Sequence, residues 1–274
     1  MNIDLTIHTE LVRTILTGFI RSEVSRAGFM RAVVGLSGGI DSAVSCALAA
    51  QALGPEHVLA LRMPYRTSSP DSLEDAEKIA ACLKVPMETF DITPMVEPLI
   101  DRQADLSQTR KGNIMARARM IVLYDRSEAT RGLVIGTGNK TEILLGYTTL
   151  WGDMAAAINP VGDLYKTQLR QLAASLQLPK SVLDKPPSAD LWVGQTDEGE
   201  LGLVYAEVDR LLYLLIDQRY TPEECVEAGF ERAYVDKVLT RVRRNQFKRM
   251  MPPIAKLSNR TIGYDFLYLR DWGT

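Results

Sequence analysis

The chain has 274 residues, 46% hydrophobic and 24% charged, with a formal net charge of −2. That is the balance of an ordinary globular protein long enough to bury a substantial core, and it gives no overall electrostatic case for a nucleic-acid partner. No apolar run is long enough to span a bilayer, and Met1-Asn2-Ile3-Asp4 lacks a basic stretch followed by an apolar core, so the expectation is a cytoplasmic protein with no membrane contact.

Leu11, Ile15, Leu16, Phe19, Ile20 and Val24 recur at helical spacing and predict an amphipathic helix over residues 9–27. Residues 32–36 form a short β-branched run, a buried strand. Ser37-Gly38-Gly39 turns the chain, and Asp41-Ser42 opens a helix ended by Gly54-Pro55. A second strand is predicted over 57–63, a helix over 73–83, a third strand over 87–90 and a helix over 95–104. Gly112 precedes a long helical pattern from residue 113 to about 130. A fourth strand follows over 133–136, then a short helix over 141–145, a loop rich in Gly and Asp over 146–163 and a helix over 164–176. Beyond Pro186 the pattern is helical over 205–217, 222–228 and 231–250.

Strands alternating with helices predict an α/β fold, a doubly wound parallel sheet covered on both faces, with ligands at the carboxyl ends of the strands. A helical C-terminal subregion follows. The expected organisation is one domain, with residues 31–180 as a nucleotide-binding α/β core and 181–274 as a mainly helical part. Cys46, Cys82 and Cys225 are far apart and fit a reducing compartment better than a disulfide framework or a zinc site. With His8 and His57 the only histidines, a histidine-based triad is not expected, and carboxylates are the natural ligands for a hard cation.

The strand, glycine turn and helix N-terminus over 31–42 form an anion trap, because glycines let backbone amides approach an oxyanion and the helix start favours negative charge. The plainer reading is a tight turn. The Walker pattern of a Gly, four residues and Gly-Lys-Ser/Thr is absent, although Gly136-Thr137-Gly138-Asn139-Lys140-Thr141 comes near it. The Gly-x-Gly-x-x-Gly dinucleotide spacing is absent too.

Ser37-Gly38-Gly39-Ile40-Asp41-Ser42 resembles the signature of the ATP pyrophosphatases, which cleave ATP to AMP and pyrophosphate. Further stretches narrow the resemblance: Gly112-Asn113-Ile114-Met115-Ala116-Arg117-Ala118-Arg119-Met120, Gly136-Thr137-Gly138-Asn139-Lys140-Thr141-Glu142, Gly152-Asp153-Met154-Ala155-Ala156-Ala157-Ile158-Asn159-Pro160, Gly162-Asp163-Leu164-Tyr165-Lys166, Lys185-Pro186-Pro187-Ser188-Ala189-Asp190-Leu191 and Gln195-Thr196-Asp197-Glu198. Together they resemble the ammonia-dependent NAD synthetases, from about residue 10 to residue 252. The resemblance implies an adenine nucleotide α-hydrolase-like fold and a two-step ligation. In the first step the nicotinate carboxylate of deamido-NAD attacks the α-phosphate of ATP, and in the second ammonia displaces AMP. It also implies a homodimer, with residues 9–27 and 113–130 as candidate contact surfaces. No glutaminase region with a nucleophilic Cys is visible, so free or delivered ammonia is the implied nitrogen source.

Carried over residue by residue, the resemblance implies that Gly35, Leu36, Ser37, Gly38, Gly39, Ile40, Asp41 and Ser42 hold ATP, with Arg62, Thr137, Lys166 and Ser188 as further ATP contacts. Asp41 and Glu142 would hold Mg2+, and Arg117, Phe247 and Lys248 would hold deamido-NAD. Asp41, Lys166 and Asp153 would be the catalytic set. Plainer roles remain beside these: Asp41 as a helix cap, Glu142 favouring a helix dipole, and Lys166 and Arg117 on solvated helix faces. Met115, Met120 and Tyr124 read as core or subunit contact. The chain departs from many relatives at Leu150, where they carry Lys, at Ala157, where they carry Asp, and at Phe247, where they carry His. Ser188 replaces a frequent Thr. The alternatives are another acceptor for the same ATP chemistry, such as nicotinate mononucleotide, and a non-catalytic adenine-nucleotide-binding protein.

Overall fold

The computed structural model describes residues 3–103, 105–188, 196–263 and 265. Ala189, Asp190, Leu191 and Gln195 of the motifs above lie outside the described residues, as do residues 266–274 of the C-terminal part. The elements are α1 (Thr9–Arg26), β1 (Arg31–Gly35), α2 (Ile40–Leu53), β2 (Val58–Arg62), α3 (Pro70–Leu83), β3 (Met87–Thr89), α4 (Thr93–Ile100), α5 (Gln108–Thr130), β4 (Gly132–Ile135), α6 (Lys140–Leu145), α7 (Lys166–Ser175), α8 (Lys180–Asp184), α9 (Asp197–Leu201), α10 (Tyr205–Leu212), α11 (Pro222–Glu227) and α12 (Arg232–Arg244).

Strands β1 to β4 form one parallel sheet in the order β3-β2-β1-β4. Alternation sends Ala32 and Val34 of β1 to one face and Val33 to the other. The first face is covered by α1 through Ile20 and Val24, by most of α2, by Ala76 and Ile79 of α3, and by Leu169 and Leu172 of α7. The second face packs Val33 and Leu61 against Val96 of α4 and Met115 and Val122 of α5. Burying each such Val or Leu contributes about 1.5–3 kcal/mol. Two covered faces explain why the strands read as continuous apolar runs rather than alternating ones. A further cluster joins Leu145 and Tyr165 to Val208, Leu211 and Leu212 of α10 and to Val235 and Val238 of α12.

Several boundaries differ from the sequence expectation. Helix α5 starts at Gln108, because the Ser107 side chain accepts the Arg110 amide and caps it, so Gly112 lies inside the helix instead of before it. Residues 55–57 form a short 310 turn, so β2 starts at Val58. Helix α7 begins at Lys166, with Tyr165 as its cap residue. Helices α8 and α9 are additional short elements. The pattern over 205–217 divides into α10 and a widened π turn over Tyr213–Asp217, and that over 231–250 into α12 and a 310 turn over Gln246–Arg249.

Candidate active site

Strand β1 has β2 on one side and β4 on the other, and the chain leaves β1 and β4 into α2 and α6. The sheet's switch point is therefore between β1 and β4, where an open parallel sheet leaves a crevice for ligands. The Ser37-Gly38-Gly39 turn lies at its edge. Gly38 has φ +81°, and a Cβ there would meet the Ser72 carbonyl oxygen at 2.2 Å, so both the backbone angle and the close approach of α3 require glycine. The Ser42 hydroxyl accepts the Ser37 amide at 3.2 Å and donates to the Gly39 carbonyl at 2.9 Å, which holds the turn closed on the first turn of α2.

Asp41 does not cap α2. The cap position is Gly39, and no side chain bonds the first amides there. Asp41 instead points across the crevice: its Oδ1 accepts Asn139 Nδ2 at 2.8 Å and its Oδ2 accepts Lys166 Nζ at 2.5 Å. Asn139 caps α6 in a reciprocal box, accepting the Glu142 amide at 3.0 Å while Glu142 Oε2 accepts the Asn139 amide. Glu142 therefore does serve its helix start. Its other oxygen accepts Lys166 Nζ at 3.1 Å. Lys166 is 1% exposed, far from a solvated face, and its ammonium also lies 5.3 Å from the centre of the Tyr205 ring.

Three helix starts thus bring together two carboxylates and one ammonium. Burial pushes the Glu142 carboxyl up to about 8, against the pull of Lys166 and with the push of Asp41. Burial works against the Lys166 charge, but Asp41 and Glu142 outweigh it and raise its pKa. Asp197 adds a third carboxyl nearby, raised by burial; its Oδ2 accepts the Tyr205 hydroxyl at 3.2 Å. Asp41 and Glu142 are hard oxygen donors already bridged by a cation, so their chemistry fits Mg2+. Among the described residues no group of three or more His, Cys, Asp or Glu is arranged to hold a metal ion, so a hexacoordinate ion would need phosphate or water oxygens to complete its shell.

A cavity of about 510 Å³ opens in front of this cluster. Gly35, Leu36, Ser37, Asp41, Ser42, Arg62, Thr137, Glu142 and Ser188 line it, together with Asp153 and Lys248 toward its other end. Gly38, Gly39, Ile40 and Lys166 are not among the lining residues, although Lys166 is held by two carboxylates that are. Arg62 donates to the Leu73 carbonyl at 3.2 Å and to Thr89 at 3.1 Å, and pairs with Glu77. Asp153 accepts the Thr149 amide at 2.6 Å. Lys248 donates to the Gly146 and Thr148 carbonyls at 2.7 Å each, and burial draws its pKa down.

Arg117 and Phe247 are not among the lining residues. Arg117 is exposed and donates to the Leu150 carbonyl at 3.2 Å, and Phe247 is 59% exposed. Met115 is buried in the core, Met120 lines the cavity and Tyr124 is exposed. The cavity also takes in residues without a role from sequence: Arg119, Tyr147, Glu200, Arg241 and Asn245. Asn113, Arg119 and Asp197 stood in the motifs that carry the resemblance, which was their only signal. Arg241 and Asn245 had none, because they reach the cavity from α12 and its end, about a hundred residues from the loop they face.

The crevice thus combines a glycine turn at the switch point of a parallel sheet with an ammonium clasped by two carboxylates beside it. The NAD synthase family profile matches residues 12–252. An NH3-dependent NAD+ synthetase of Trichlorobacter lovleyi is 55% identical over 269 residues, covering 98% of each chain. Among solved structures, an NH3-dependent NAD synthetase from Campylobacter jejuni, in complex with nitrate, superimposes with TM-score 0.79 at 32% identity, covering 92% of this chain and 100% of that one. An NMN synthetase from Francisella tularensis superimposes with TM-score 0.81 at 32% identity, covering 91% and 99%. This chain belongs to the NAD synthase family.

Proposed function

We propose that the chain joins ammonia to the nicotinate carboxylate of deamido-NAD, with ATP cleaved to AMP and pyrophosphate. The observation that carries this reading is the meeting of Asp41, Glu142 and Lys166 beside the Ser37–Ser42 turn, in a family whose curated relatives carry that activity by name. A carboxylate is a poor acyl donor, and adenylation gives it a leaving group. The turn amides and the start of α2 would seat the phosphates, with Thr137, Ser188 and Arg62 along the ATP part of the cavity. Mg2+ on Asp41 and Glu142 would neutralise phosphate charge. Lys166, released from one carboxylate, would then face the same oxygens. Asp153 and Lys248, with Arg117 and Phe247 nearby, would hold the acceptor, and Asp153 would orient the incoming ammonia.

The same reading takes the chain to be a cytoplasmic homodimer. No helix among the described residues is long and apolar enough to cross a membrane, and Cys46, Cys82 and Cys225 are all unbridged. The exposed apolar side chains Leu11 and Ile15 of α1 and Ile121 and Tyr124 of α5 support contact surfaces on those helices. Light scattering on the eluted protein measures the mass.

The activity test is incubation with ATP, Mg2+, ammonium and either deamido-NAD or nicotinate mononucleotide. NAD, AMP and pyrophosphate should appear in equal amounts with deamido-NAD. Turnover confined to nicotinate mononucleotide, or none with either, would overturn the proposal.

A further inference from the structure

The contact between Lys166 and Glu142 depends on where two short helices begin, since α6 has six residues and α7 ten. Helices this short have little stability of their own, and their starting positions are set from outside. Asp209 of α10 is fully buried and supplies that constraint. Its Oδ1 accepts the Thr141 hydroxyl of α6 at 2.6 Å, and its Oδ2 accepts the Thr167 amide of α7 at 2.8 Å. The Thr141 oxygen in turn accepts the Lys166 amide at 3.0 Å.

Thr141 immediately precedes Glu142, and Thr167 immediately follows Lys166. One carboxylate therefore ties the Thr141 side chain of α6 to the Thr167 backbone of α7, at the two ends of the Lys166–Glu142 contact. Its place is costly. Burial pushes the Asp209 carboxyl up, while Thr141, Thr167 and the Lys166 charge draw it down. Val208, Leu211 and Leu212 already anchor α10 in the core, so docking the helix does not require a buried acid.

Resting on the ligase reading above, we infer that Asp209 is a positioning residue for Lys166, tying the starts of α6 and α7 so that the ammonium meets Asp41 and Glu142. A misplacement of about 1 Å at a reacting group can cost on the order of a hundredfold in rate. The effect should fall on turnover rather than on ATP affinity, because none of the turn residues that seat the phosphates touches Asp209.

The test uses the full chain. NAD formation by the parent protein decides the ligase reading alone, and the variants decide the role of Asp209. Asp209→Asn leaves the buried site one acceptor short, and Thr141→Val breaks the same tie from the other side. Each should lower kcat by about 30-fold, with the KM for ATP changed by less than about threefold. Thr141→Ser keeps the hydroxyl and should lose less than about threefold. In a Lys166→Gln background Asp209→Asn should cost less than about threefold, since the group it positions is gone. Hydrogen exchange reads the tie without turnover: peptides covering 164–170 should exchange faster in Asp209→Asn, while those of α10 stay protected. Equal losses in both backgrounds, a loss carried by KM, an unchanged kcat or unchanged exchange over 164–170 would each overturn the inference. If Asp209→Asn does not fold, Thr141→Val carries the same test.

Discussion

Replacing Lys166 with Met removes the ammonium that, among the described residues, bonds both Asp41 and Glu142, while keeping a side chain of similar length. The two bonds lost are 2.5 and 3.1 Å long, and the lysine side chain is 2% exposed, so water does not take its place freely. Removing one partner of a buried ion pair costs about 3–5 kcal/mol, because the remaining charge stays desolvated. For a chain of this size that corresponds to a fall in melting temperature of about 5–9 °C. The loss should be smaller at pH 6 than at pH 8, since the stranded Glu142 carboxyl, raised by burial, takes up a proton there. Adding Mg2+ should restore part of it, because Lys166→Met leaves both oxygen donors in place. Calorimetric melts with chelator, and then with added Mg2+, measure all three effects. A variant melting within about 2 °C of the parent at pH 8 would show that the carboxylates are hydrated and that the ion pair does not organise the site.

Gly38→Ala should destabilise the chain by about 1–3 kcal/mol and weaken ATP binding at least about tenfold, since φ +81° and the Ser72 carbonyl 2.2 Å from the new Cβ both oppose it; melts and calorimetric titration with a non-hydrolysable ATP analogue check this. Glu142 sets a pH dependence. Between its ordinary value of 4.5 and the folded value of about 8 the folded chain keeps a proton that the unfolded chain has released, so Glu142 makes stability fall as pH rises through that window. Glu142→Gln should flatten the metal-free melting profile there, and an unchanged slope would assign the dependence to other groups.

Much of the α/β core was legible because its signals are local. Val33 and Val34 lie in a β-branched run, and the glycines of the 37–39 turn follow at once; the Asn139–Glu142 capping box of α6 was not read from the sequence. The start of α5 was missed because Ser107, rather than the more conspicuous Gly112, supplies the cap. Asp41, Glu142 and Lys166 could be named as partners only through the family resemblance, since 98 residues separate Asp41 from Asn139 and 125 separate it from Lys166. Periodicity carries no information about which distant helix starts will meet. Asp209 shows the same limit: within residues 205–217 it reads as one more polar position on an amphipathic helix, and only the packed chain shows that it faces inward.

The far end of α6 bears on how the protein is made. Arg241 and Asn245 both donate to the Leu145 carbonyl at 3.1 Å, Lys248 to Gly146 and Thr148, and Arg249 to Ile143 and Leu144 at 3.1 and 2.8 Å. The last carbonyls of the helix that carries Glu142 are thus satisfied by residues about a hundred positions later. During synthesis the phosphate turn emerges roughly two hundred residues before these donors do. A fragment that stops before residue 241 lacks the donors to these carbonyls, although Asn139 and Glu142 can still form their capping box. The end of α6 is thus completed only once residues 241–249 have emerged, and a product that stops before them would lack those contacts.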